Sequence, residues 1–342
     1  MMLVLNDDAV RAALTPELCE RAMVDALIAH ADGRGTFPLR TVVNPPGAGS
    51  MLGLMPAHLA GAPGSFALKA VCLVQANPAR GLDTHQGLVV LFSAETGVVT
   101  AVLNASALTE IRTAAVTAAA TRALARDDAE VLAIVGAGVQ GRAHLRALGE
   151  VRPWREVRIA SRTRSRAEAL AADANALLGN GTEVVVASDA RSAIAGAAKS
   201  ADATATVAAD VVVLATTSRE PVVEREWLGA GGHVNAIGAS SPTARELDVE
   251  TVAEAALFCD SRESLFGEAL EFRLAREQGA IDGESHVRAE LGELFSGRRP
   301  GRLDSSELTL FRSLGVGIED LVAAELAVAR ARELGLGIEV SL

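Results

Sequence analysis

The chain has 342 residues, and 32 lysines and arginines against 43 aspartates and glutamates give it a net charge of −11. This length suffices for a sizeable hydrophobic core and predicts two domains, or one large one. The acidic balance, with no basic stripe interleaved with aromatic residues, argues against nucleic acid as a partner, and no apolar window is long enough for a membrane span.

The first residues and the cysteines indicate the compartment. Asp7 and Asp8 stand where a signal peptide would continue its apolar core. Cys19, Cys72 and Cys259 lie far apart in the sequence and lack metal-ligand spacing, so we expect neither a disulfide framework nor a metal site. We therefore expect a cytoplasmic protein with reduced thiols.

The first hundred residues predict an α+β region. Residues 1–34 have the pattern of a helical start, because Thr15-Pro16-Glu17 resembles an N-cap with proline at the first helical position. Between residues 36 and 100, short β-branched runs are broken by clusters of Gly, Pro and Asn. This texture is typical of a mostly antiparallel sheet.

The middle of the chain has a different construction. A long helical pattern runs from about Ala107 to Arg126, and compact apolar runs then alternate with helical patterns, in the order VLAIV, VRIAS, TEVVVAS, ADVVVLATT and HVNAIGA. Strands that alternate with helices in this way indicate a parallel, doubly wound sheet. The low-complexity stretch 193–210 predicts a helix end and an extended loop.

A glycine-rich turn joins the first of these apolar runs to the next helix. Its residues match G-x-G-x-x-G: the first glycine permits a tight turn, the second lets a pyrophosphate approach the backbone, and the third lets the helix pack on the strand. The strand before the turn and the second strand within about thirty residues favour a dinucleotide site over a turn without a ligand. The candidate cofactor residues are Gly136, Gly138, Val139, Gln140 and Gly141.

The end of the second apolar run predicts which dinucleotide binds. An NAD site usually has an acidic residue there for the ribose hydroxyls. The sequence instead has Ser161-Arg162-Thr163-Arg164-Ser165-Arg166, with no carboxylate to repel a 2′-phosphate and several groups that can bind one. We therefore predict NADP(H), with NAD(H) as the alternative; a solvated helix start is the other interpretation of these arginines.

The predicted fold class is α/β, with a Rossmann-type doubly wound parallel sheet domain and a discontinuous α+β domain. The last segment, from LTLFRSLG onward, has a helical pattern, and we expect it to pack on the first domain. We place the Rossmann domain at 113–305 and the discontinuous domain at 1–112 and 306–342.

Several longer strings are more specific than the glycine fingerprint. Together, and in this order, they resemble the ornithine cyclodeaminase and mu-crystallin family over nearly the whole chain. The strings are LRTVV (39–43), LGLMPAH (52–58), Lys69 in ALKAV, THQGLVVLFSAETGVVTAVL (84–103), EIRTAAVTAAATRALA (110–125), HVNAIGASSPTARELD (233–248) and FRSLGVGIEDLVAA (311–324).

This resemblance implies roles for particular residues. The discontinuous domain would bind substrate and join two copies of the chain into a homodimer. Arg40 and Lys69 fall where the family binds the substrate carboxylate, and Arg112 with Thr113 begins the segment that lines the cofactor and active-site cleft. Further cofactor contacts would fall on Ser161, Arg162 and Thr163 and on Ala215, Thr216 and Thr217.

The sequence departs from the cyclodeaminases after HVNAIGA. Ornithine cyclodeaminases and the related archaeal alanine dehydrogenases have an aspartate there that acts on the substrate nitrogen, and the cyclodeaminases have a lysine four residues later. This chain has Ser240 and Ala244. A hydroxyl cannot replace that base near neutral pH without an activating partner. The string GASSPTARELD is instead similar to the mu-crystallin and ketimine reductase branch.

The resemblance and this departure lead to three hypotheses for the function. The first is NADPH-dependent reduction of a cyclic ketimine acid, of the pyrroline- or piperideine-carboxylate type, with Lys69, Arg40, Arg112 and Ser240 as catalytic residues. The second is an ornithine cyclodeaminase that releases ammonia, or an alanine or amino-acid dehydrogenase. The third is a non-catalytic, crystallin-like cofactor binder, against which the retained basic residues argue.

Some roles stay open from the sequence alone. The proton for an imine nitrogen has three possible sources: Lys69, Ser240 or water. His85 is either a site residue or a structural histidine, and Asp320 is either an interior acid near the cleft or a surface charge.

Overall fold

The structure, a computed structural model, describes residues 1–61, 64–179, 181–196 and 207–341. It divides into two units, one formed by residues 1–116 and 315–342 and the other by residues 117–314. The predicted boundaries at 112 and 306 differ from these limits by four residues at the first boundary and by nine at the second. The later difference arises because a strand at 309–312 belongs to the second unit.

The first unit is built on a sheet that has eight strands among the described residues, in the order β16-β1-β7-β6-β5-β4-β2, with β3 paired to β4. All its pairs are antiparallel except β1 with β7. The strands are β1 (Met2–Leu5), β2 (Gly35–Thr36), β3 (Thr41–Val43), β4 (Ser50–Leu59), β5 (Ser65–Val74), β6 (His85–Ser93), β7 (Val99–Asn104) and β16 (Ile338–Val340).

Helices cover one face of this sheet. They are α1 (Asp7–Ala13), α2 (Pro16–Ala31), the beginning of α3 (Ala105–Leu124) and α11 (Gly317–Leu334). Helix α11 packs on β4, β5, β6 and α2. Alternate residues of β5 are therefore buried, among them Ala67 and Val71, as expected for a sheet with one covered face.

The beginning of the chain confirms one prediction and corrects another. Thr15 is the N-cap of α2, where its side chain accepts a hydrogen bond from the amide of Leu18, and Pro16 follows at the first turn. The helical interpretation of residues 1–34 was wrong for Met2–Leu5, which form β1 between β7 and β16. Four apolar residues are too few for their periodicity to distinguish a strand from a helix.

The second unit contains a parallel sheet with eight strands among the described residues, in the order β10-β9-β8-β11-β12-β15-β13-β14. The Rossmann-type fold class is thereby confirmed. The strands are β8 (Val131–Val135), β9 (Glu156–Ala160), β10 (Glu183–Val186), β11 (Val211–Leu214), β12 (His233–Ala236), β13 (Ala256–Cys259), β14 (Val287–Glu290) and β15 (Thr309–Arg312).

Helices connect these strands. They are α4 (Val139–Gly149), α5 (Arg164–Leu178), α6 (Ala190–Ile194), α7 (Val249–Glu254), α8 (Arg262–Glu268), α9 (Leu270–Glu277) and α10 (Leu291–Phe295). Strands β8, β9, β11 and β12 are buried at every residue. Burial on both faces explains the continuous apolar runs of β8 and β11, whereas β9 buries Glu156 paired with Arg158 and β12 buries His233 and Asn235. The strand order reverses between β8 and β11, where doubly wound folds bind nucleotides.

The C-terminal segment begins with a strand, and its helical interpretation was wrong there. Residues Thr309–Arg312 form β15, inserted between β12 and β13. The rest of the segment confirms the prediction, because α11 belongs to the first unit.

The low-complexity stretch 193–210 is described only at its two ends. Helix α6 ends at Ile194 within it, and residues 197–206 lie outside the described residues. Elsewhere, no helix in the described ranges is both long and apolar enough to cross a membrane.

Candidate active site

Lys69 lies in the interior of the first unit. It pairs across β5 with Met55 on β4 and Val89 on β6, so these side chains share the face of the sheet on which α11 packs. Only 5% of Lys69 is exposed. A lysine is almost never buried without a partner charge, because burial of an unpaired ammonium is costly.

Asp320 on α11 supplies that charge. The Nζ atom of Lys69 lies 3.0 Å from Oδ1 and 3.1 Å from Oδ2 of Asp320. Arg112 on α3 donates from Nε to the same Oδ1 at 3.0 Å, and from Nη1 to Oε2 of Glu319 at 2.7 Å. All four side chains are buried, so one carboxylate links two predicted catalytic cations.

These contacts set the protonation states of the cluster. Burial lowers the pKa of Lys69 to about 8; Asp320 opposes this shift and Arg112 reinforces it. Burial also disfavours the Asp320 carboxylate, but Arg112 and Lys69 outweigh burial and hold the pKa of Asp320 below its usual range. Lys69 can therefore exchange a proton near neutral pH while Asp320 remains ionised.

Arg40 lies in the same part of the unit. It is half-buried before β3, and its Nη2 donates to the carbonyl oxygen of Gly315 at 3.1 Å. Gly315 has a φ of +73°, and a Cβ there would lie 2.7 Å from Nη1 of Arg112. Glycine at this position therefore leaves room for the Arg112 guanidinium, and the fold brings all three predicted cations together. Thr113 follows Arg112 on α3 and is buried.

His85 begins β6. Desolvation, followed by the charge of Lys69, lowers the pKa of His85. We therefore expect a neutral imidazole at neutral pH.

The glycine turn of the second unit is tightly built. Gly136 has a φ of +112°, and a Cβ there would lie 2.3 Å from the carbonyl oxygen of Ala215. A Cβ on Gly141 would lie 1.9 Å from the carbonyl oxygen of Gly136. Both positions therefore require glycine, because any side chain would push the turn away from β11 or from α4.

Gly138 is different, because it faces open space. It is the exposed N-cap of α4, no side chain caps the helix there, and a Cβ would have no heavy atom within 4 Å. Val139 is exposed and Gln140 half-buried in the first turn of α4. Uncapped amides at a helix N-terminus attract anions, so this cradle fits a pyrophosphate.

Ser161, Arg162 and Thr163 follow the carboxyl end of β9. Thr163 donates its amide to the Ser161 hydroxyl at 3.3 Å and is the N-cap of α5 without a side-chain capping bond. Arg162 is exposed, and no residue in the described ranges accepts a hydrogen bond or ion pair from it. By contrast, Arg164 is paired with Glu168 at 2.9 Å.

Thr216, Thr217 and Ser240 follow the carboxyl ends of β11 and β12. Thr217 and Ser240 are exposed, whereas Thr216 is half-buried and donates its amide to Oε1 of Glu246 at 2.6 Å. The same carboxylate accepts the amide of Gly238 at 2.7 Å. The structure therefore joins the Thr216 segment to the segment that precedes Ser240.

Sequence reasoning left Asp320 open and missed Glu319 and Glu246 as partners. Asp320 is 251 residues from Lys69, and such a distance in sequence hides a contact. The available signal was that GIED and RELD were among the family strings, with acids next to apolar positions.

In the described part of the chain, no group of three or more His, Cys, Asp and Glu is arranged to hold a metal.

Comparison with known families gives a match over most of the chain. The family described as ornithine cyclodeaminase/mu-crystallin family matches residues 2–334. The ketimine reductase mu-crystallin of Mus musculus is 37% identical over 295 residues, which cover 86% of this chain and 85% of the mouse protein.

Two solved structures match along the whole length. The first is the Delta(1)-pyrroline-2-carboxylate reductase of Thermococcus litoralis in complex with NADH and L-proline. It has a TM-score of 0.90 and 32% identity, and the match covers 99% of this chain and 100% of that one. The second is an archaeal alanine dehydrogenase dimer with bound NAD, with a TM-score of 0.88, 30% identity, and coverage of 100% of this chain and 99% of that one.

Proposed function

Because this chain belongs to the ornithine cyclodeaminase/mu-crystallin family, we propose that it is an oxidoreductase that uses NADP(H) to reduce cyclic ketimine acids to cyclic amino acids. The substrates are of the pyrroline- or piperideine-carboxylate type. The observation that carries this proposal is the buried cluster in which Lys69 and Arg112 share the Asp320 carboxylate.

The cations of the cluster suit a substrate with a carboxylate. Arg40, Lys69 and Arg112 lie together there. A planar guanidinium can hold a carboxylate through two parallel hydrogen bonds. Arg40 is half-buried and can therefore reach a ligand that arrives from solvent.

Lys69 is suited to protonate the imine nitrogen. With a pKa of about 8, it carries a proton at neutral pH and can release it without a large barrier. Transfer of this proton makes the imine carbon more electrophilic and leaves Lys69 as a neutral amine, which Asp320 holds in position before and after the transfer. The arginines keep the carboxylate still, so that the carbon is presented in a fixed orientation.

The glycine turn fits a dinucleotide through Gly136, the open Gly138 and Gly141. A reduced nicotinamide, when bound, supplies the hydride that the imine carbon accepts. Arg162 at the end of β9 favours the 2′-phosphate of NADP(H), since no acid follows that strand and the side chain is exposed. The two solved relatives contain NADH and NAD, so both cofactors belong in the assay.

Ser240 favours ketimine reduction over ammonia release. The residue is exposed, and no buried acid or histidine among the described residues hydrogen-bonds to its hydroxyl. It therefore cannot act as a general base near neutral pH. Reduction of a preformed imine needs a proton donor and no such base.

We also propose a homodimer joined through the outer face of the first sheet. Cross-strand pairing places Leu52, Leu54, Phe66, Leu68 and Leu88 on the face opposite to α11. Leu52, Phe66 and Leu88 are between 37% and 47% exposed, and a patch of this kind usually marks an interface. The archaeal alanine dehydrogenase relative is a dimer.

The three unpaired cysteines agree with a cytoplasmic enzyme.

The test follows absorbance of the reduced nicotinamide with purified protein. NADPH and NADH are each offered with pyrroline carboxylate, with piperideine carboxylate, and with pyruvate plus ammonia. Ornithine plus NAD is assayed separately for released ammonia. We expect rapid oxidation of NADPH by a cyclic imine, with ornithine inert.

Three other results would replace the proposal. Ammonia from ornithine would indicate a cyclodeaminase, and turnover of pyruvate with ammonia would indicate an amino-acid dehydrogenase. Binding of the dinucleotide without any turnover would indicate a non-catalytic protein. A preference for NADH would overturn the assignment of NADP(H) alone.

A further inference from the structure

Two buried charged side chains hydrogen-bond to the backbone that leads from β12 to Ser240. Glu246 and Arg312 are each 1% exposed. They belong to the strings RELD and FRSLG, which the proposed reaction leaves without a role. A buried charge is expensive unless every hydrogen bond is satisfied, so their partners indicate what they do.

Glu246 holds three backbone amides. Its Oε1 accepts the amide of Thr216 at 2.6 Å, and its Oε2 accepts those of Gly238 at 2.7 Å and Ala239 at 3.2 Å. Thr216 follows β11, whereas Gly238 and Ala239 follow β12. One carboxylate therefore ties together the carboxyl ends of two adjacent strands.

Arg312 holds the carbonyls of the same segment. Its Nη1 donates to the carbonyl oxygen of Ala236 at 3.3 Å, and its Nη2 donates to that of Ala239. Glu271 on α9 accepts from Nε and fixes the guanidinium. Arg312 thus holds the segment 236–239 through its carbonyls, and Glu246 holds it through its amides.

The junction leaves no space between the strand ends. A Cβ on Gly238 would lie 2.0 Å from the carbonyl oxygen of Thr216. A Cβ on Gly136 of the glycine turn would lie 2.3 Å from the carbonyl oxygen of Ala215, the residue before Thr216. Along the carboxyl edge of the sheet, the glycine turn therefore packs against the Thr216 segment, and the Thr216 segment packs against the Gly238 segment.

This edge lies on one side of the point where the strand order reverses. Strands β8, β9 and β10 lie on the other side and carry Arg162, the residue proposed for the 2′-phosphate. A dinucleotide binds across such a reversal with one nucleotide on each half. The β11 and β12 half therefore receives the nicotinamide nucleotide.

We propose that Glu246 and Arg312 are positioning residues that clamp the Thr216 and Gly238 segments into the wall for the nicotinamide half of the dinucleotide. This inference rests on the proposed function, because it takes the ligand to be a nicotinamide dinucleotide. Neither residue touches substrate; each acts through the backbone that it fixes.

Glu246→Gln tests the clamp, because the amide keeps the shape but turns an NH2 group toward backbone donors. The matched control is Asp210→Asn. Asp210 accepts the amides of Glu130 and Val131, each at 2.9 Å, and thereby ties β8 to β11 at the opposite edge of the same sheet. Dissociation constants of NADPH and of 2′,5′-ADP, which contains only the adenosine half, are measured for wild type and both variants.

We expect Glu246→Gln to raise the Kd of NADPH about tenfold, as for the loss of a charge-assisted hydrogen bond, and to change the Kd of 2′,5′-ADP less than about twofold. Asp210→Asn should lower the melting temperature and leave both constants within about twofold. An equal effect of Glu246→Gln on both ligands, or none on either, would overturn the clamp.

Gly238→Ala is the second variant, in case Glu246→Gln fails to fold. It forces Thr216 and Gly238 apart without removing a charge, and it should produce the same split between NADPH and 2′,5′-ADP. If wild type binds NADH and ADP but neither NADPH nor 2′,5′-ADP, the assignment of NADP(H) fails. The Kd values of NADH and ADP then test the clamp in the same way. If wild type binds no dinucleotide, both the proposed function and the clamp fail.

Discussion

The ammonium of Lys69 on β5 and the carboxylate of Asp320 on α11 form a two-contact ion pair, with Nζ 3.0 and 3.1 Å from the two carboxylate oxygens. Both groups are almost fully buried. In a low-dielectric interior the loss of one partner leaves the other charge uncompensated and costs several kcal/mol. Asp320 thus fixes the position of Lys69 and opposes the lowering of its pKa by burial.

The first prediction concerns pH. In wild type, kcat/KM for the cyclic ketimine should fall above about pH 8, because Lys69 there loses the proton that it donates. Asp320 raises the pKa of Lys69, so Asp320→Asn should lower it and move this alkaline limb toward lower pH. The profile of kcat/KM from pH 6 to 10 measures the shift.

Glu325→Gln is the control for this shift. Glu325 also lies on α11 and accepts a hydrogen bond from Ser65 at the start of β5, but among the described residues no hydrogen bond or ion pair joins it to Lys69. The control should keep the alkaline limb of wild type. An unmoved limb in Asp320→Asn would mean that Lys69 is not the proton donor.

The second prediction separates Lys69 from Ser240 as the proton donor. Lys69→Met should reduce kcat by about a hundredfold or more, in the range attributed to a general acid. Ser240→Ala should reduce it by less than about tenfold, because the hydroxyl is exposed and a water molecule can take its place. Single-turnover rates with NADPH already bound measure this step, and the reverse ranking would assign the proton transfer to Ser240.

Much of the fold could be predicted from the sequence, because it depends on local patterns. The N-cap at Thr15, the glycine turn and the buried strands β8, β9, β11 and β12 all lie in segments whose periodicity or turn residues are sufficient for assignment. Strands β1 and β15 were not predicted, since each has only four residues and takes its conformation from the strands beside it.

The candidate site could be predicted only in part, for a related physical reason. The family strings identified Lys69, Arg40 and Arg112. No local sequence pattern shows that Lys69 on β5 faces Asp320 on a helix 251 residues later in the chain. The carboxylates that determine the chemistry, Asp320 and Glu246, act through tertiary contacts. Their role could be found only once the strands and helices were packed.

The third prediction concerns the choice of cofactor. Arg162→Ala should raise the Kd of NADPH about tenfold, since a charge-assisted contact with the 2′-phosphate is lost, and should leave the Kd of NADH unchanged. Arg164→Ala is the matched control, because Arg164 is also exposed and is already paired with Glu168. Fluorescence titration with both cofactors gives the constants. An equal loss in both variants would point to general electrostatic attraction instead of a specific contact.

The fourth prediction concerns the outer face of the first sheet. Phe66→Asp should convert the dimer into monomers, because the charge would be buried in an apolar interface without a partner. Leu303→Asp changes an apolar residue of the second unit that is 65% exposed, against 47% for Phe66, and should leave the dimer intact. Light scattering during size-exclusion chromatography measures the mass, and a dimer that survives Phe66→Asp would place the interface elsewhere.

The last prediction concerns stability at acidic pH. His144 on α4 is fully buried; its Nδ1 lies 2.7 Å from the carbonyl oxygen of Gln140 and its Nε2 lies 3.0 Å from the hydroxyl of Thr117. A neutral ring satisfies both contacts, with Nδ1–H as donor and Nε2 as acceptor. Burial lowers the pKa of His144 to about 4, so the folded protein resists protonation that the unfolded chain accepts below pH 6.5.

The contribution of neutral His144 to the free energy of unfolding is therefore fully present above pH 6.5 and is lost as the pH falls toward 4. Between pH 7.5 and pH 5 the loss amounts to about 2 kcal/mol. His144→Gln should reduce the pH dependence of the unfolding free energy by about that amount, as measured by urea denaturation at both pH values. Thr117→Val keeps the histidine and removes one of its partners, so it should lower stability without reducing the pH dependence. A variant without His144 that loses as much stability in acid as wild type would show that other groups bind the protons on unfolding.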